Sequence, residues 1–266
     1  MSVFEAFVLG LLQGLTEFLP VSSSGHIQLG AYFFGINTSE NLIFTVIVHG
    51  ATVLSTVIVF WKEIKNILLG VLKFEYNEET KLFLYILVSM IPVGIVGVFF
   101  KSEVEALFDG KLIFVASMLM FTGFLLAATN FIKADTKTGK LNYTKAILIG
   151  LAQAIAVLPG ISRSGATIAT GLIAGVEKKE ATRFSFLMVI IPILGASLLQ
   201  VIDITENPTN LGNTSFAALA VGFVTALTFG ILACRWMISI VQKGKLIYFA
   251  IYCFIIATIV LIMQLL

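Results

Sequence analysis

Hydrophobic residues in this chain gather into long runs, and six of these runs are long enough to cross a lipid bilayer. A helix rises about 1.5 Å per residue, so about 20 apolar residues span the roughly 30 Å hydrocarbon core. The six runs lie at about 42–61, 82–100, 112–132, 184–202, 215–235 and 246–266. This pattern predicts six transmembrane helices.

Two further apolar regions, at about 3–35 and 146–175, are interrupted near the middle by proline, glycine, serine and ionisable residues. Non-helical backbone is tolerated at membrane depth only where protein or a water-filled cavity surrounds it. We therefore expect each region to form a re-entrant helical hairpin, which enters and leaves the membrane on the same side.

The two interrupted regions resemble each other. The segment "GLLQGLTEFLPVSSSGHI", which starts at Gly10, aligns without gaps with "GLAQAIAVLPGISRSGAT", which starts at Gly150. The matching positions are Gly10, Leu11, Gln13, Ser22, Ser24 and Gly25 with Gly150, Leu151, Gln153, Ser162, Ser164 and Gly165. Each region precedes three spanning runs, and three is an odd number, so the second half is expected to be inverted. The sequence thus predicts one membrane domain, 1–266, built as an inverted-topology repeat with halves at about 1–132 and 143–266.

Composition agrees with this fold class. The chain is 58% hydrophobic and 12% charged, with a mean hydropathy of +1.02, which is typical of an all-α polytopic membrane protein. The net charge of +2 is too small to indicate a nucleic-acid partner. Cys234 and Cys253 lie in apolar segments without the spacing of a metal site or a disulfide framework.

Basic residues are distributed unequally between the two predicted faces. If both hairpins return to their own side, one face receives the loops near 62–81, 133–145, 176–183 and 235–245, which hold most of the lysines and arginines. The opposite face receives only Lys101 and Lys111. By the positive-inside rule the first face is cytoplasmic. Both termini and the mouth of the first hairpin are then expected on the outer side.

The polar residues of the broken segments are candidates for chemistry. Glu17 lies in an apolar stretch one turn after Gln13, and a charge there costs about 2.5–3.5 kcal/mol on insertion scales, so it needs a partner or a wet cavity. Arg163 keeps its charge, and its planar fork suits carboxylate or phosphate. Two structural interpretations stay open: a neutral Glu17 that packs helices, and a Glu17–Arg163 ion pair without any substrate.

Serines precede a short helical run in each broken segment, and simple helix capping explains some of them. A capped helix that starts inside the membrane also points free N–H groups and its positive dipole end at the cavity, which favours an anion. Two such ends, one from each inverted hairpin, are expected to meet near the midplane and form an anion site. Arg163 makes phosphate the natural ligand. The predicted phosphate-binding residues are Ser22, Ser24, Ser162, Arg163, Ser164, Gly165 and Thr167.

Two histidines occur in the chain, at His26 and His49. His26 follows three serines in a polar break, and it suits proton transfer near neutral pH. His49 lies in a plain span, where packing or cavity lining is the simpler interpretation. With Glu17 holding a divalent cation against phosphate oxygens, these parts describe phosphoryl chemistry. The same parts could also bind and move an anion without cleaving it.

At these two motifs the chain resembles the undecaprenyl-diphosphate phosphatase family, also called bacitracin-resistance proteins. The family's first signature runs from a (Glu/Gln)-x-x-x-Glu pair into "FLPVSSxGH", and it stands here as "QGLTEFLPVSSSGH", Gln13 to His26. The second, "PGxSRSxxT", stands as "PGISRSGAT", Pro159 to Thr167. The likeness extends over essentially the whole chain.

The resemblance implies hydrolysis of a polyprenyl diphosphate, undecaprenyl diphosphate, to undecaprenyl phosphate and inorganic phosphate in the bacterial inner membrane, with an active site that opens outward. It assigns Glu17, Ser23, His26, Arg163 and Thr167 to the catalytic centre and implies Mg²⁺ or Ca²⁺. Ser23, His26 and a water remain alternatives for the attacking group, and the oligomeric state, a homodimer included, stays open. Gln13 stands where many members have Glu, which weakens a metal site formed by Glu17 and Gln13.

The main alternative function is a transporter or flippase of a phosphorylated lipid, because inverted repeats with broken helices are common in transporters. Ser23 and His26 favour hydrolysis, since a transporter does not need them. The membrane acid phosphatases also carry Ser-Gly-His, but their further Lys-Arg-Pro and His-Asp motifs are missing from this sequence.

Overall fold

A computed structural model of the chain describes residues 1–35, 42–107, 111–131, 139–206 and 214–265. Within these ranges the protein is helical, and a single isolated bridge between Gly139 and Val176 is the only β-type pairing. The α-helices are α1 (Val3–Phe18), α2 (Ser23–Phe34), α3 (Leu42–Val59), α4 (Trp61–Val71), α5 (Glu78–Phe99), α6 (Lys101–Glu105), α7 (Leu112–Ala128), α8 (Tyr143–Ile155), α9 (Arg163–Ile173), α10 (Lys178–Met188), α11 (Ile190–Glu206), α12 (Phe216–Gln242) and α13 (Ile247–Leu265). A 3₁₀ turn at Thr129–Phe131 extends α7.

Five helical stretches of the described chain are long and apolar enough to cross a membrane, and a sixth results if the bent pair α3 and α4 counts as one. The five are Glu78–Phe99, Leu112–Phe131, Lys178–Leu199, Phe216–Gln242 and Ile247–Leu265. The multi-pass all-helical membrane fold is therefore confirmed, with boundaries within a few residues of most predicted runs. The exact number of spans stays a prediction.

One predicted loop contains a helix. The region 62–81 was expected to connect two spans, yet α4 occupies most of its first half and bends by 75° away from α3. Its apolar residues recur at helical spacing: Ile67 is buried, and Ile64 and Val71 pack against the same core. Lys62 and Lys65 therefore lie on the exposed face of an amphipathic helix instead of in a loop.

Both predicted interruptions are confirmed, and each has a local cause. α1 ends at Phe18, and Leu19 is extended, because the ring of Pro20 disfavours helical backbone in the residue before it. The second break contains Gly160 at φ 96°, where a Cβ would collide with the carbonyl oxygen of Val115. Only glycine fits this turn without displacing its neighbours.

Small residues allow each broken segment to approach a long span closely. In α1, Gly10 and Gly14 face the backbone of Gly222 and Ala226 in α12. In α8, Gly150 faces the backbone of Ser89 in α5. Such contacts between small residues are the usual basis of helix packing in lipid, where apolar side chains gain little by leaving the hydrocarbon.

The largest buried cluster lies between the two broken segments and the spans that hold them. It includes Phe18, Leu119, Ile149, Phe184 and Met237. Large apolar side chains such as Ile91, Val98 and Leu198 are exposed on the outer faces of the spans. This arrangement, with apolar residues both inside and outside, is expected for a protein whose surroundings are lipid.

Candidate active site

The helices that follow the two breaks begin in the same way. The Ser22 hydroxyl accepts a hydrogen bond from Gly25 N at 3.2 Å, and the Ser162 hydroxyl accepts one from Gly165 N at 3.1 Å. Ser22 and Ser162 are therefore N-caps, as the capping interpretation predicted. Ser22 also has φ 70°, a sparsely populated conformation that costs on the order of 1–3 kcal/mol and is concentrated at functional sites.

The two breaks meet each other inside the protein. A Cβ built on Gly25 would lie 3.5 Å from Cα of Gly160, and one built on Gly165 would lie 3.2 Å from Cβ of Pro20. The Ser164 hydroxyl donates to the Leu19 carbonyl at 3.3 Å. Residues 135 and 145 positions apart in the chain thus form one polar centre.

Glu17 is the central residue of this contact. Its Oε1 accepts a hydrogen bond from an Nη of Arg163 at 2.8 Å, which is also an ion pair. Its Oε2 accepts from the Ser23 hydroxyl at 2.6 Å and from Gln13 Nε2 at 3.1 Å. The carboxylate is 7% exposed and the Arg163 side chain 26% exposed, so the pairing satisfies a charge that would otherwise be costly to bury.

Equivalent positions of the two segments supply the two main partners of Glu17. Ser23 is the first residue of α2, and Arg163 is the first residue of α9. The same position therefore carries a hydroxyl in one segment and a guanidinium in the other. The structure brings Gln13, Glu17, Ser23 and Arg163 together, as the sequence predicted for the charged pair.

A small, narrow cleft opens beside this centre. Of the predicted site residues, Glu17, Arg163, Ser164 and Thr167 line it. The full lining is Glu17, Phe18, Thr52, Thr56, Gln153, Arg163, Ser164, Thr167, Ser185, Phe186, Val189 and Ile193.

The hydroxyls of the predicted phosphate-binding residues also make hydrogen bonds or close contacts within the two broken segments. The hydroxyls of Ser22 and Ser24 are 3.3 Å apart, and those of Ser162 and Ser164 are 3.2 Å apart. The Thr167 hydroxyl donates to the carbonyl oxygen of Arg163 at 2.8 Å. Several hydroxyls expected to bind phosphate therefore have partners within the protein.

His26 does not line the cleft, and its catalytic role stays a prediction. Its Nδ1 is 2.9 Å from the carbonyl oxygen of Ser22, and its Nε2 is 2.8 Å from the Tyr252 hydroxyl. The two rings also stack with centroids 5.6 Å apart. Because a carbonyl only accepts, Nδ1 carries a hydrogen, and in the neutral ring Nε2 accepts from Tyr252.

Tyr252, on α13, is a partner that the sequence did not reveal. Its only signal is a hydroxyl within an apolar span, 226 positions from His26. His49 contacts its own helix, with Nδ1 at 2.8 Å from the carbonyl oxygen of Thr45. Thr52, one turn further along α3, lies 3.4 Å from Gln13 Nε2 and so joins the centre.

The donors present fit a hard divalent cation only in part. Among the described residues there is no group of three or more histidine, cysteine, aspartate or glutamate side chains that could hold a metal. Glu17 offers one carboxylate, and Gln13 Oε1 is buried without a hydrogen-bond partner in the described chain. Mg²⁺ is commonly bound by one or two carboxylates together with substrate phosphates, so these two oxygens suit a cation that arrives with a phosphate ligand.

Comparison with known proteins identifies the family. The family model described as "Bacitracin resistance protein BacA" matches residues 6–259. The chain is 53% identical over 264 residues to an undecaprenyl-diphosphatase of Bacteroides fragilis, with 99% of each chain covered. It is 54% identical over 265 residues to one of Bacteroides thetaiotaomicron, with 100% of each chain covered.

More distant relatives carry the same name. An undecaprenyl-diphosphatase of Halothermothrix orenii is 37% identical over 264 residues, which cover 99% of this chain and 98% of the relative. The family model and the relatives both span nearly the whole sequence, including the two broken segments that form the polar centre. The chain therefore belongs to the bacitracin resistance protein BacA family.

Proposed function

We infer that this protein hydrolyses undecaprenyl diphosphate to undecaprenyl phosphate and inorganic phosphate. This reaction recycles a lipid carrier for cell-wall synthesis and confers bacitracin resistance. The full-length relatives named undecaprenyl-diphosphatase support the proposal. The observation that carries it is the centre itself, where Glu17 contacts a hydroxyl nucleophile candidate on one oxygen and the phosphate-binding candidate Arg163 on the other.

This geometry favours Ser23 as the attacking group. Its hydroxyl already donates to Glu17, so the carboxylate is placed to accept the proton when Ser23 Oγ bonds to phosphorus. The bond from that phosphorus to the bridging oxygen breaks, and the lipid phosphate leaves. Water then cleaves the phosphoserine ester, which releases inorganic phosphate and restores the hydroxyl.

Arg163 has a double role in the proposal. Without substrate its guanidinium neutralises Glu17, and a phosphate group competes for the same N–H donors. When the guanidinium turns toward phosphate, Glu17 loses its positive partner and becomes a better proton acceptor. Arg163 then stabilises the charge that develops on the transferred phosphoryl oxygens.

His26 and Tyr252 form the proposed proton-transfer pair. Nε2 of His26 and the Tyr252 hydroxyl can exchange a proton across their 2.8 Å contact. Through Nδ1, His26 also holds the carbonyl of Ser22, and this bond fixes the turn that carries Ser23. His26 thus supports the nucleophile and supplies an imidazole that can accept or donate a proton.

Glu17 and Gln13 would hold a divalent cation, Mg²⁺ or Ca²⁺, together with the substrate's phosphate oxygens. When bound, such a cation neutralises charge on the diphosphate and thereby eases attack. Chelation is expected to lower the rate, and added Mg²⁺ or Ca²⁺ to restore it.

The proposed membrane arrangement is an inverted repeat of six spans and two re-entrant hairpins in the bacterial inner membrane. The pairing of α1 with α12 and of α8 with α5 supports it, because Gly10 and Gly150 occupy equivalent positions at these two contacts. The lysine distribution supports an active site that opens to the outer side.

Two assays separate hydrolysis from lipid transport. Purified protein in detergent with undecaprenyl diphosphate and Mg²⁺ is expected to release inorganic phosphate. The same protein in sealed vesicles, with the lipid in one leaflet, reports movement between leaflets. Movement without phosphate release would replace the hydrolase proposal by the transporter alternative.

A further inference from the structure

Gln153, on α8, carries a buried amide without a partner. The residue is 0% exposed, and neither Nε2 nor Oε1 makes a hydrogen bond with any described residue. Exchanging the two amide atoms would not help, since both are unpartnered. The equivalent residue of the first segment, Gln13, donates to Glu17 one turn later, whereas Val157 stands at that position in the second segment. The described part of the chain therefore supplies no partner for Gln153.

A second unpartnered polar atom lines the same cleft. Ser185, on α10, is 3% exposed, and its hydroxyl makes no hydrogen bond within the described chain. Gln153 and Ser185 share this cleft with Arg163 and Thr167. Two helices outside both signature motifs thus present free hydrogen-bonding groups to the candidate phosphate site.

Buried polar groups without partners destabilise a protein unless a ligand supplies their hydrogen bonds. Leaving a buried donor or acceptor unsatisfied costs about 1–3 kcal/mol, and most buried polar side chains in native proteins have a partner. An amide N–H and a hydroxyl are donors that suit phosphate oxygens. Their position beside Arg163 points to the same ligand that Arg163 binds.

We propose that Gln153 and Ser185 form a subsite for the terminal phosphoryl group of the diphosphate, the group that leaves as inorganic phosphate. This inference rests on the proposed function. Arg163 is 26% exposed, whereas Gln153 is fully buried, so the subsite is the deeper end of the cleft. Phe18 and Phe186, each 2% exposed, also line the cleft, so its inner walls are buried protein. The terminal phosphoryl group therefore enters first and lies between Arg163 and this subsite, and the lipid-bearing phosphoryl group stays nearer the mouth of the cleft.

The test uses inorganic phosphate as the probe, because it is the ligand proposed for the subsite. Phosphate is expected to inhibit the wild-type enzyme competitively and to raise its melting temperature. Gln153→Met keeps the volume but removes the amide, and Ser185→Ala removes the hydroxyl. Each variant is expected to raise the inhibition constant for phosphate about tenfold, the effect of one hydrogen bond to a charged group, and to reduce the thermal shift.

Thr56→Val is the matched control. Thr56 lines the same cleft, but its hydroxyl already donates to the Thr52 carbonyl at 3.2 Å. Its inhibition constant for phosphate is expected to stay at the wild-type value. Gln153→Met is also expected to melt at or above the wild-type temperature without phosphate, since replacing an unsatisfied polar group by an apolar one of similar shape is neutral or stabilising.

The possible results distinguish a failure of the subsite proposal from a failure of the proposed hydrolysis. Wild-type hydrolysis with an unchanged inhibition constant in both variants would overturn the subsite and leave the proposed function standing. A lower melting temperature of Gln153→Met with unchanged inhibition would assign Gln153 a structural role. Absence of any phosphate effect on the wild type would also count against the subsite. A wild type that releases no phosphate from the lipid but is stabilised by phosphate through Gln153 would overturn the hydrolase reaction alone.

Discussion

At Glu17, three donors from two separate parts of the chain converge on one carboxylate. Gln13 and Ser23 come from the first broken segment, and Arg163 comes from the second. A structural ion pair would need only Arg163. The hydroxyl of Ser23 at 2.6 Å gives the carboxylate a proton to accept, which is why the centre suits chemistry as well as folding.

The contact between His26 and Tyr252 leads to a prediction at the same scale. Tyr252→Phe keeps the stacked ring but removes the hydroxyl that bonds Nε2. Since one such hydrogen bond contributes about 0.5–1.5 kcal/mol, the hydrolysis rate is expected to fall by up to about tenfold. His26→Ala, which removes the whole proton-transfer group, is expected to abolish most activity. Initial rates of phosphate release across a pH series measure both effects.

Tyr248→Phe is the control for this prediction, because Tyr248 lies on the same helix, one turn earlier, and is 64% exposed. Its rate and pH profile are expected to match the wild type. If Tyr252→Phe and Tyr248→Phe behave alike, the hydroxyl of Tyr252 has no part in proton transfer.

The sequence predicted some of these residues and not others for a physical reason. Glu17 and Arg163 stood out because a charged group in an apolar stretch must find a partner. Ser22 and Ser162 stood out because serine before a helical run is a good N-cap. Tyr252 did not stand out in the sequence, because tyrosines are common in apolar spans. Only the packing of the helices brings it to His26.

At the scale of elements, the two breaks depend on residues that stop helices. Pro20 ends α1 by its effect on Leu19, and this break was readable from the sequence. The helix α4 was not readable in this way, because its lysines are as typical of a loop as of a helix. Amphipathic helices at a membrane surface carry lysines too, so charge alone does not separate them from loops.

Gly160→Ala tests the second break. At φ 96° a side chain is strained, and its Cβ would also collide with the carbonyl oxygen of Val115. We expect Gly160→Ala to lower the free energy of unfolding by about 3 kcal/mol or more, which would be measured as a lower melting temperature and a smaller folded yield in detergent. Gly175→Ala is the matched control, because φ is 74° but a Cβ would meet nothing within 4 Å. It is expected to lose about 1–2 kcal/mol. Equal losses would show that the contact with Val115 is unimportant.

At the scale of the whole molecule, the proposed orientation can be tested with single cysteines. Lys111→Cys is expected to react with a membrane-impermeant thiol reagent in intact cells, and Lys62→Cys only after permeabilisation. Both lysines are exposed, and the native Cys234 and Cys253 are buried, so the native thiols give a low background. The opposite labelling pattern would invert the orientation and place the cleft's opening on the cytoplasmic side.

The repeat pattern in the sequence predicted that two distant segments meet, and the contacts of Gly25 with Gly160 and of Gly165 with Pro20 confirm that meeting. It did not predict which long spans hold them. That choice depends on the close approach of Gly10 and Gly150 to α12 and α5. Glycines are frequent in this chain, so their sequence positions alone do not identify helix contacts.

The most direct test of the account is the rate of phosphate release from undecaprenyl diphosphate by wild-type protein and by Arg163→Ala. Arg235→Ala, a change at an exposed arginine that does not line the cleft, is the control, and melting temperatures confirm that each variant is folded. The wild type and Arg235→Ala are expected to release phosphate with Mg²⁺ or Ca²⁺ present. Arg163→Ala is expected to be slower by about 100-fold or more, the usual effect of removing one group that stabilises the transition state. A folded Arg163→Ala variant with the wild-type rate, or a wild type that releases no phosphate, would contradict the account.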